Sequence, residues 1–454
     1  MGKDMQKIKF KYIIYLLVSF LFLSIYSINS SPFFNLCVND AAMFRTIGLS
    51  MANGKILYKD IWDHKGPIIF LINMLHYTGV HIIITQSIFL FIDLIFIDKL
   101  SKLFNKKSIL PIIYFLAFFS ATIKYGANCE EFALPTNIIA IYLFFYYYLK
   151  DKTKILIQSF IYGILFSFCF FLKFTAGVII CVAIFVICID LLIQREYKKV
   201  LKISLLFLAG FIIFSLPFVI YFYINGLFKD LIDATFLFNL VYGNQIVPGK
   251  DIGIFIFVFY LPVIFGIIIS CLYFKNNKMI SLFSIISMSI ITFLSLKSLF
   301  VQYLIPAICF IPILVLTIDN KKWNVIIRFI YKRCFLIIFA VSFFYSLVFV
   351  NYYKNLGCED LMKNVNDEPF IAFECGGVYP KYNIVPEYKY FACQSWHASF
   401  EEEKRQDIIN EFKKCSAKWI LVNKEKDTEI IQNILDNNYY IYDFNDKFIL
   451  YCLK

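Results

Sequence analysis

Apolar runs long enough for an α-helix to cross a hydrocarbon core, roughly 17–25 residues, recur from residue 10 to about residue 350 and then cease. They predict eleven spans, near 10–29, 80–98, 108–123, 135–149, 155–172, 174–193, 203–223, 252–273, 279–297, 301–318 and 334–350. The third and fourth are short. Residues 67–77 are apolar but too few to cross, so they are expected to dip into the interface. After about Asn351 the pattern turns mixed: the runs FIAFEC, KYFACQ, WILVN, YYIYDFN and FILYCLK read as strands, separated by helix-like stretches at 400–414 and 427–435. The second stretch opens on an Asp suited to capping it. Two domains follow: a helical transmembrane domain at 1–350, whose first outer loop is 30–79, and a small α/β domain at 351–454.

Composition fixes the class. With 60% hydrophobic residues, 54 Phe, 31 Tyr and a mean hydropathy of +0.71, the chain is a polytopic α-helical membrane protein rather than a soluble one. Lys and Arg favour cytoplasmic loops, and they cluster before the first span (Lys3, Lys7, Lys9, Lys11) and after the second (Lys99, Lys102, Lys106, Lys107). Further clusters follow the fourth span (Lys150, Lys152, Lys154) and the sixth (Arg195, Lys198, Lys199, Lys202), then recur at Lys275 and Lys278 and at Lys321, Lys322, Arg328, Lys332 and Arg333. All lie on one side if 67–77 does not cross. The N-terminus is then cytoplasmic, and the first loop and the tail are outside. The net charge of +12 is largely this topology signal and gives no argument for nucleic-acid binding. The first span lacks a small-x-small cleavage pattern and reads as a retained anchor.

Thirteen Cys form no C-x-x-C, and His occurs only at 64, 76, 81 and 397, so neither a metal site nor a cofactor is expected. Cys358, Cys375, Cys393, Cys415 and Cys452 lie in the tail, where disulfides are open to them.

The densest chemistry is in the stretch 39–67, NDAAMFRTIGLSMANGKILYKDIWDHKGP, which puts Asp40, Arg45, Asp60, Asp63, His64 and Lys65 into the first outer loop. Met43, Phe44, Ile47 and Met51 recur at helical spacing, predicting a helix along the membrane surface that begins near Asp40 and ends at Gly54. Pro67 suits the first position of the next helix because it has no N–H to leave unpaired. The free N–H groups of that helix start and the Lys65 ammonium would then meet at one point, an anion site fit for a phosphate. Plainer readings stand beside this one: Asp40 as a helix cap, Lys65 as a snorkelling anchor, Asp60 and Asp63 as solvated loop acids, and Tyr58 and Trp62 as an interfacial aromatic belt. Lys173, at the outer end of a span, either adds charge near that site or snorkels. Asn239, Tyr242 and Gln245 belong to a lid or to an ordinary surface loop.

An Asp after the first span, then G-x-x-x-Y-x-D at Gly54, Tyr58 and Asp60, then D-H-K-G-P at 63–67, resembles the first extracytoplasmic loop of GT-C-fold glycosyltransferases. The likeness is to the protein O-mannosyltransferase and aminoarabinose-transferase type, especially bacterial members. Gln302-Tyr303 with Pro306 stands where many of those enzymes carry His-Tyr and a Pro, and the tail with PEYKYF is similar too. The resemblance implies a GT-C-like fold of about eleven transmembrane helices and transfer of a sugar from a polyprenyl-phosphate carrier to a glycan, lipid or protein acceptor outside the membrane. It makes Asp40 the essential acid and gives Lys65 and Arg45 the donor phosphate. Asp60, Asp63, His64, Glu130, Glu131, Gln302 and Tyr303 become candidates for orienting donor or acceptor. Two departures stand out: Ala41 follows Asp40 where many members have a second acid, and Gln302 replaces the usual His.

These readings converge on an inverting glycosyltransferase in a plasma membrane, bacterial by the resemblance and by a Lys/Ile/Phe/Asn-rich, low-Ala composition. A transporter or flippase for a lipid-linked or anionic solute is the alternative; it predicts ionisable residues in mid-span and broken helix pairs related by a repeat. A membrane scaffold that displays the tail is the third.

Overall fold

The computed structural model describes residues 2–243 except 35 and 124, residue 264, residues 276–298 and 301–318, residues 337–350 except 339 and 349, and residues 356–454 except 366 and 367. The expected span 252–273 apart from residue 264, residues 334–336, 339 and 349 of the expected span 334–350, the basic residues at 321–333 and Gln245 lie outside the described residues. The chain divides into two compact units.

The first unit, residues 1–33, 83–223 and 246–347, is mostly helical among the described residues. It contains α1 (Gly2–Tyr26). The loop helices α2 (Asp40–Ala52) and α3 (Pro67–Tyr77) that follow belong to the other unit. The first unit resumes with α4 (Ile82–Leu103), α5 (Ile109–Thr122), α6 (Cys129–Leu149), α7 (Ile155–Lys173), α8 (Val178–Ile193) and α9 (Tyr197–Ile224), and later Lys278–Ser298. Five helical runs among the described residues are long and apolar enough to cross a membrane: Lys9–Tyr26, Cys129–Leu149, Ile155–Ile193, Tyr197–Ile224 and Lys278–Ser295. The third is α7 and α8 joined through a 3-10 turn at Phe174–Gly177.

Two departures from the sequence expectation have physical causes. The fourth span begins at Cys129 rather than 135, because Glu131 Oε1 accepts the N–H of Asn128 at 3.1 Å and satisfies a helix-start donor, so a polar turn joins the apolar run. The run 301–318 is broken into a turn (Val301–Leu304) and helices Ile305–Ile308 and Ile311–Ile318, with Pro306 and Pro312 each in the first turn of a piece, where a missing N–H costs nothing.

Helices α7 and α9 pack backbone to backbone. A Cβ on Gly163 would lie 2.0 Å from the Phe207 carbonyl oxygen, and one on Gly210 would lie 2.1 Å from that of Phe160. Small residues at such crossings are how helices associate where lipid supplies no hydrophobic drive.

The second unit, residues 34–82, 224–245 and 348–454, combines the loop after α1 with the tail. Its sheet has the order β1-β2-β4-β3, with β1 (Phe370–Phe373) parallel to β2 (Trp419–Asn423), β2 antiparallel to β4 (Phe448–Leu453), and β3 (Tyr439–Phe444) antiparallel to β4. Helices Glu402–Lys413 and Glu429–Asn438 stand where helical stretches were expected. Asp427 Oδ1 accepts the Glu429 N–H at 2.9 Å, one step before the capping position at Thr428. KYFACQ is not a strand: Cys393 takes a left-handed conformation (φ 53°) and Gln394 opens a short helix, Gln394–Ala398. Its side chain instead ties to β1, donating to the Ala372 carbonyl at 2.9 Å while its Oε1 accepts the Glu374 N–H at 2.8 Å. The tail cysteines are all free thiols.

Candidate functional site

In the second unit the loop is held by its own motif residues. Asn39, not Asp40, occupies the cap position of α2 and makes no side-chain capping bond, which leaves Asp40 in the first turn. The helix is not a surface ribbon. Residues Ala41, Ala42 and Phe44 to Ser50 are all buried, because small Gly48 lets α3 approach so closely that a Cβ there would sit 2.5 Å from the Asn73 carbonyl carbon. Phe44 meets Phe70 of α3 edge-on at 6.0 Å.

Gly54 ends α2 at φ 88°, a conformation open to a residue without Cβ. Asp60 Oδ2 then accepts the Ile56 N–H at 2.8 Å and closes the next turn. The ring of Tyr58 is fully buried, its phenol is pushed well above its usual value by burial, and its hydroxyl donates to the Lys65 carbonyl at 2.7 Å. Asp63 Oδ1 accepts the Lys65 N–H at 3.0 Å. Tyr58, Asp60 and Asp63 therefore clamp the backbone that presents Lys65, just before Gly66 and Pro67 start α3.

Around Lys65 the electrostatics are dense. Its ammonium contacts His64 Nε2, whose Nδ1 lies 3.5 Å from Asp63 Oδ1. Burial lifts the Asp63 carboxyl above its usual range, Lys65 pulls it down and Asp40 pushes it up. Cys393 is raised to about 12, by burial first and then by Glu374, Asp40 and Asp63. His397 is lowered to about 3, by burial first and then by Lys404 and Lys65.

Residues from the tail and from 224–245 complete this surrounding. Trp62 packs against Phe238 (5.1 Å), Tyr390 (5.8 Å) and His397 (5.1 Å), and its backbone N–H donates to the Lys389 carbonyl at 3.1 Å. Trp396 and Phe238 each lie 5.4 Å from the His64 ring. Buried Lys404 stands 4.4 Å over Trp62 and 4.3 Å over Phe238, with Glu401 at 2.7 Å and Asp233 at 3.8 Å. Asn239 donates to the His64 carbonyl at 2.8 Å. Of these, Trp62, His64, Asn239 and the PEYKYF segment that holds Lys389 and Tyr390 drew notice in the sequence. The tryptophan and histidine in SWHASF were the available signal for the rest.

Arg45 is buried among Cys37, His76, Tyr77 and His81, the far end of α3 from Lys65. His76 falls to about 4, through burial first and then Arg45 and His81.

The remaining sequence candidates lie in the first unit. Glu130 pairs with Lys173, whose ammonium also sits 4.1 Å over the Tyr303 ring. Glu131 accepts from Asn128 N–H and, at 3.0 Å, from Gln86 Nε2. Gln302 Oε1 is buried with no hydrogen-bond partner among the described residues. No cluster of three metal-ligating side chains occurs among the described residues.

Among the acids chosen from the sequence, Asp60, Asp63, Glu130 and Glu131 each have a carboxylate oxygen engaged by a protein donor. Asp40 does not: half-buried, its carboxylate makes no hydrogen bond or ion pair among the described residues, and the same holds for ion pairs of Lys65.

No protein-family model matches the sequence, and no curated protein is similar to it in sequence. In three dimensions the chain is similar to ArnT from Cupriavidus metallidurans bound to undecaprenyl phosphate, with a TM-score of 0.62 at 10% identity, covering 97% of this chain and 97% of that one. The apo oligosaccharyltransferase of Archaeoglobus fulgidus aligns with a TM-score of 0.45 at 12% identity, covering 98% of this chain and 74% of that one. The likeness to ArnT covers nearly the whole of both chains, and it gives this membrane protein the GT-C fold.

Proposed function

We propose that the chain is an inverting glycosyltransferase on the outer face of a bacterial plasma membrane, taking a sugar from a polyprenyl-phosphate carrier to a glycan, lipid or protein acceptor. The observation that carries this is a pair of charges without an ion partner among the described residues, the Asp40 carboxylate and the Lys65 ammonium, both acting electrostatically on Asp63. The ArnT-like fold supports it, since that neighbour holds undecaprenyl phosphate.

In the reaction the acceptor oxygen attacks the anomeric carbon. The bond from that carbon to the phosphate oxygen breaks with its electrons going to the phosphate, and Asp40 takes the acceptor's proton late in the transition state. A single displacement inverts the anomeric centre. The leaving phosphate gains negative charge as the bond breaks, and in this reading Lys65 and the N–H groups at the start of α3 stabilise it. Tyr58 and Asp63 hold Lys65 in position by its backbone. Arg45, packed among Cys37, His76 and Tyr77, has no part in the donor site in this reading.

Mass spectrometry of cell-surface glycans from cells with and without the protein tests the assignment and identifies sugar and acceptor together. Loss of one sugar modification is expected. An unchanged envelope, with the protein expressed and inserted in the control cells, contradicts it.

A further inference from the structure

Within the first unit, a cavity of about 10 Å³ lies among Leu23 of α1, Gln86, Phe89, Leu90 and Asp93 of α4, Phe119 of α5, and Glu131 and Phe132 of α6. Three of its eight lining residues are polar, and two of those are carboxylic. Asp93 is 1% exposed, and its Oδ1 is buried with no hydrogen-bond partner among the described residues. Gln86 and Asp93 are seven residues apart on α4, so two helical turns bring them to one face, with Leu90 between them. Glu131, 6% exposed, faces the same space from the start of α6 and accepts from Gln86 Nε2 at 3.0 Å.

Two carboxyls around one apolar-walled space cannot both be ionised unless something compensates them. Either a cation sits between them or one holds a proton. The donor set decides. A bound alkali or alkaline-earth cation needs about six oxygens, whereas this space offers the two Asp93 oxygens, the Gln86 Oε1 and a Glu131 Oε2 already engaged with Gln86 Nε2. A single water needs only two to four polar partners and roughly this volume.

We propose that the cavity is a binding site for one water and one proton: Asp93 is a neutral carboxylic acid, linked through the enclosed water to an ionised Glu131. The assignment gives the orphaned Oδ1 a partner. It also leaves both Glu131 oxygens unprotonated, in keeping with the bonds they accept from Asn128 N–H and Gln86. The inference stands independently of the transferase reading, since none of these residues belongs to the Lys65 loop.

The test is infrared difference spectroscopy on the full-length protein in lipid nanodiscs at neutral pH. The wild type is expected to show the carbonyl stretch of a protonated carboxyl that shifts when the solvent is deuterated. Asp93→Asn should abolish it, because the amide replaces the acid; Glu131→Gln should keep it at a shifted frequency, because the far end of the water bridge changes. A band indifferent to Asp93→Asn overturns the proposal. Should Asp93→Asn not fold, an unmoved band in Glu131→Gln overturns it equally. Thermal unfolding of wild type in sodium, potassium or N-methylglucamine salts supplies the other arm. Equal midpoints are expected, and stabilisation by one alkali cation that Glu131→Gln removes would make the site a cation site and sink the proton assignment.

Discussion

The charges around Lys173 and those around Lys65 are handled in opposite ways. In the helical unit, Lys173 and Glu130 neutralise one another, the ammonium is laid over Tyr303, and Glu131 is spent on capping α6 and on Gln86. In the loop-and-tail unit, side chains of equal chemical capacity are aimed at the backbone: Tyr58, Asp60 and Asp63 fix the loop, and what they fix leaves Asp40 and Lys65 without ion partners among the described residues. Charges that satisfy each other stabilise a fold, whereas charges held rigidly and left unpaired are available to a substrate. Substitutions in the two regions should therefore fail differently.

The largest effect belongs to Asp40. Asp40→Asn should leave the protein inserted and its unfolding midpoint near that of wild type, while turnover falls by on the order of 10²–10⁴-fold, the usual worth of a general base. Near-normal turnover by the purified variant would erase the distinction between the two regions. In the helical unit the deficit should appear in stability instead. Lys173→Met strands a Glu130 that is only 6% exposed, at a cost of about 3–5 kcal/mol, and Lys173→Met with Glu130→Gln should recover most of it. A Lys173→Met protein that melts with the wild type would show that the pair carries no structural load.

Lys65→Met comes next. It should lower kcat and weaken donor binding together, by roughly 10²-fold in kcat/KM, because the phosphate becomes more negative in the transition state. Lys65→Arg should recover only part, since a planar fork does not replace a compact ammonium. If only KM moves, Lys65 binds ground state and transition state alike.

The smallest effect is a pH dependence. Unfolded, His397 would titrate near 6.5; folded, it is held down to about 3, by burial first and then by Lys404 and Lys65. Between those values the unfolded chain binds a proton that the folded one does not, so stability should fall as pH drops from about 6.5 towards 3 and be level above. Unfolding midpoints measured across that window should decline in wild type and flatten in His397→Phe, and equal slopes would remove His397 as the cause.

Much of this was legible in the sequence. Span length and hydropathy reveal α1, α6, α7, α8 and α9, because crossing a bilayer leaves an apolar run that no packing detail can hide. The loop motif located Asp40 and Lys65. What it could not convey was the division of labour within it, since Asp60 and Asp63 look as chemical as Asp40 until their hydrogen bonds are seen. The burial of α2 was missed because Gly48 reads as a neutral residue until α3 lies against it. Lys404 and His397 escaped because their partner Trp62 lies more than three hundred residues away along the chain, a contact that no periodicity encodes.

The central claim is that Lys65 and Asp40 serve a lipid-phosphate sugar. The most direct measurement supplies the purified protein in liposomes with a polyprenyl-phosphate sugar, or with the matching nucleotide sugar, and follows transfer to an envelope acceptor. Transfer from the lipid donor, with the anomeric configuration inverted and with loss in Asp40→Asn, is the expected result. Transfer from the nucleotide sugar alone would contradict the account.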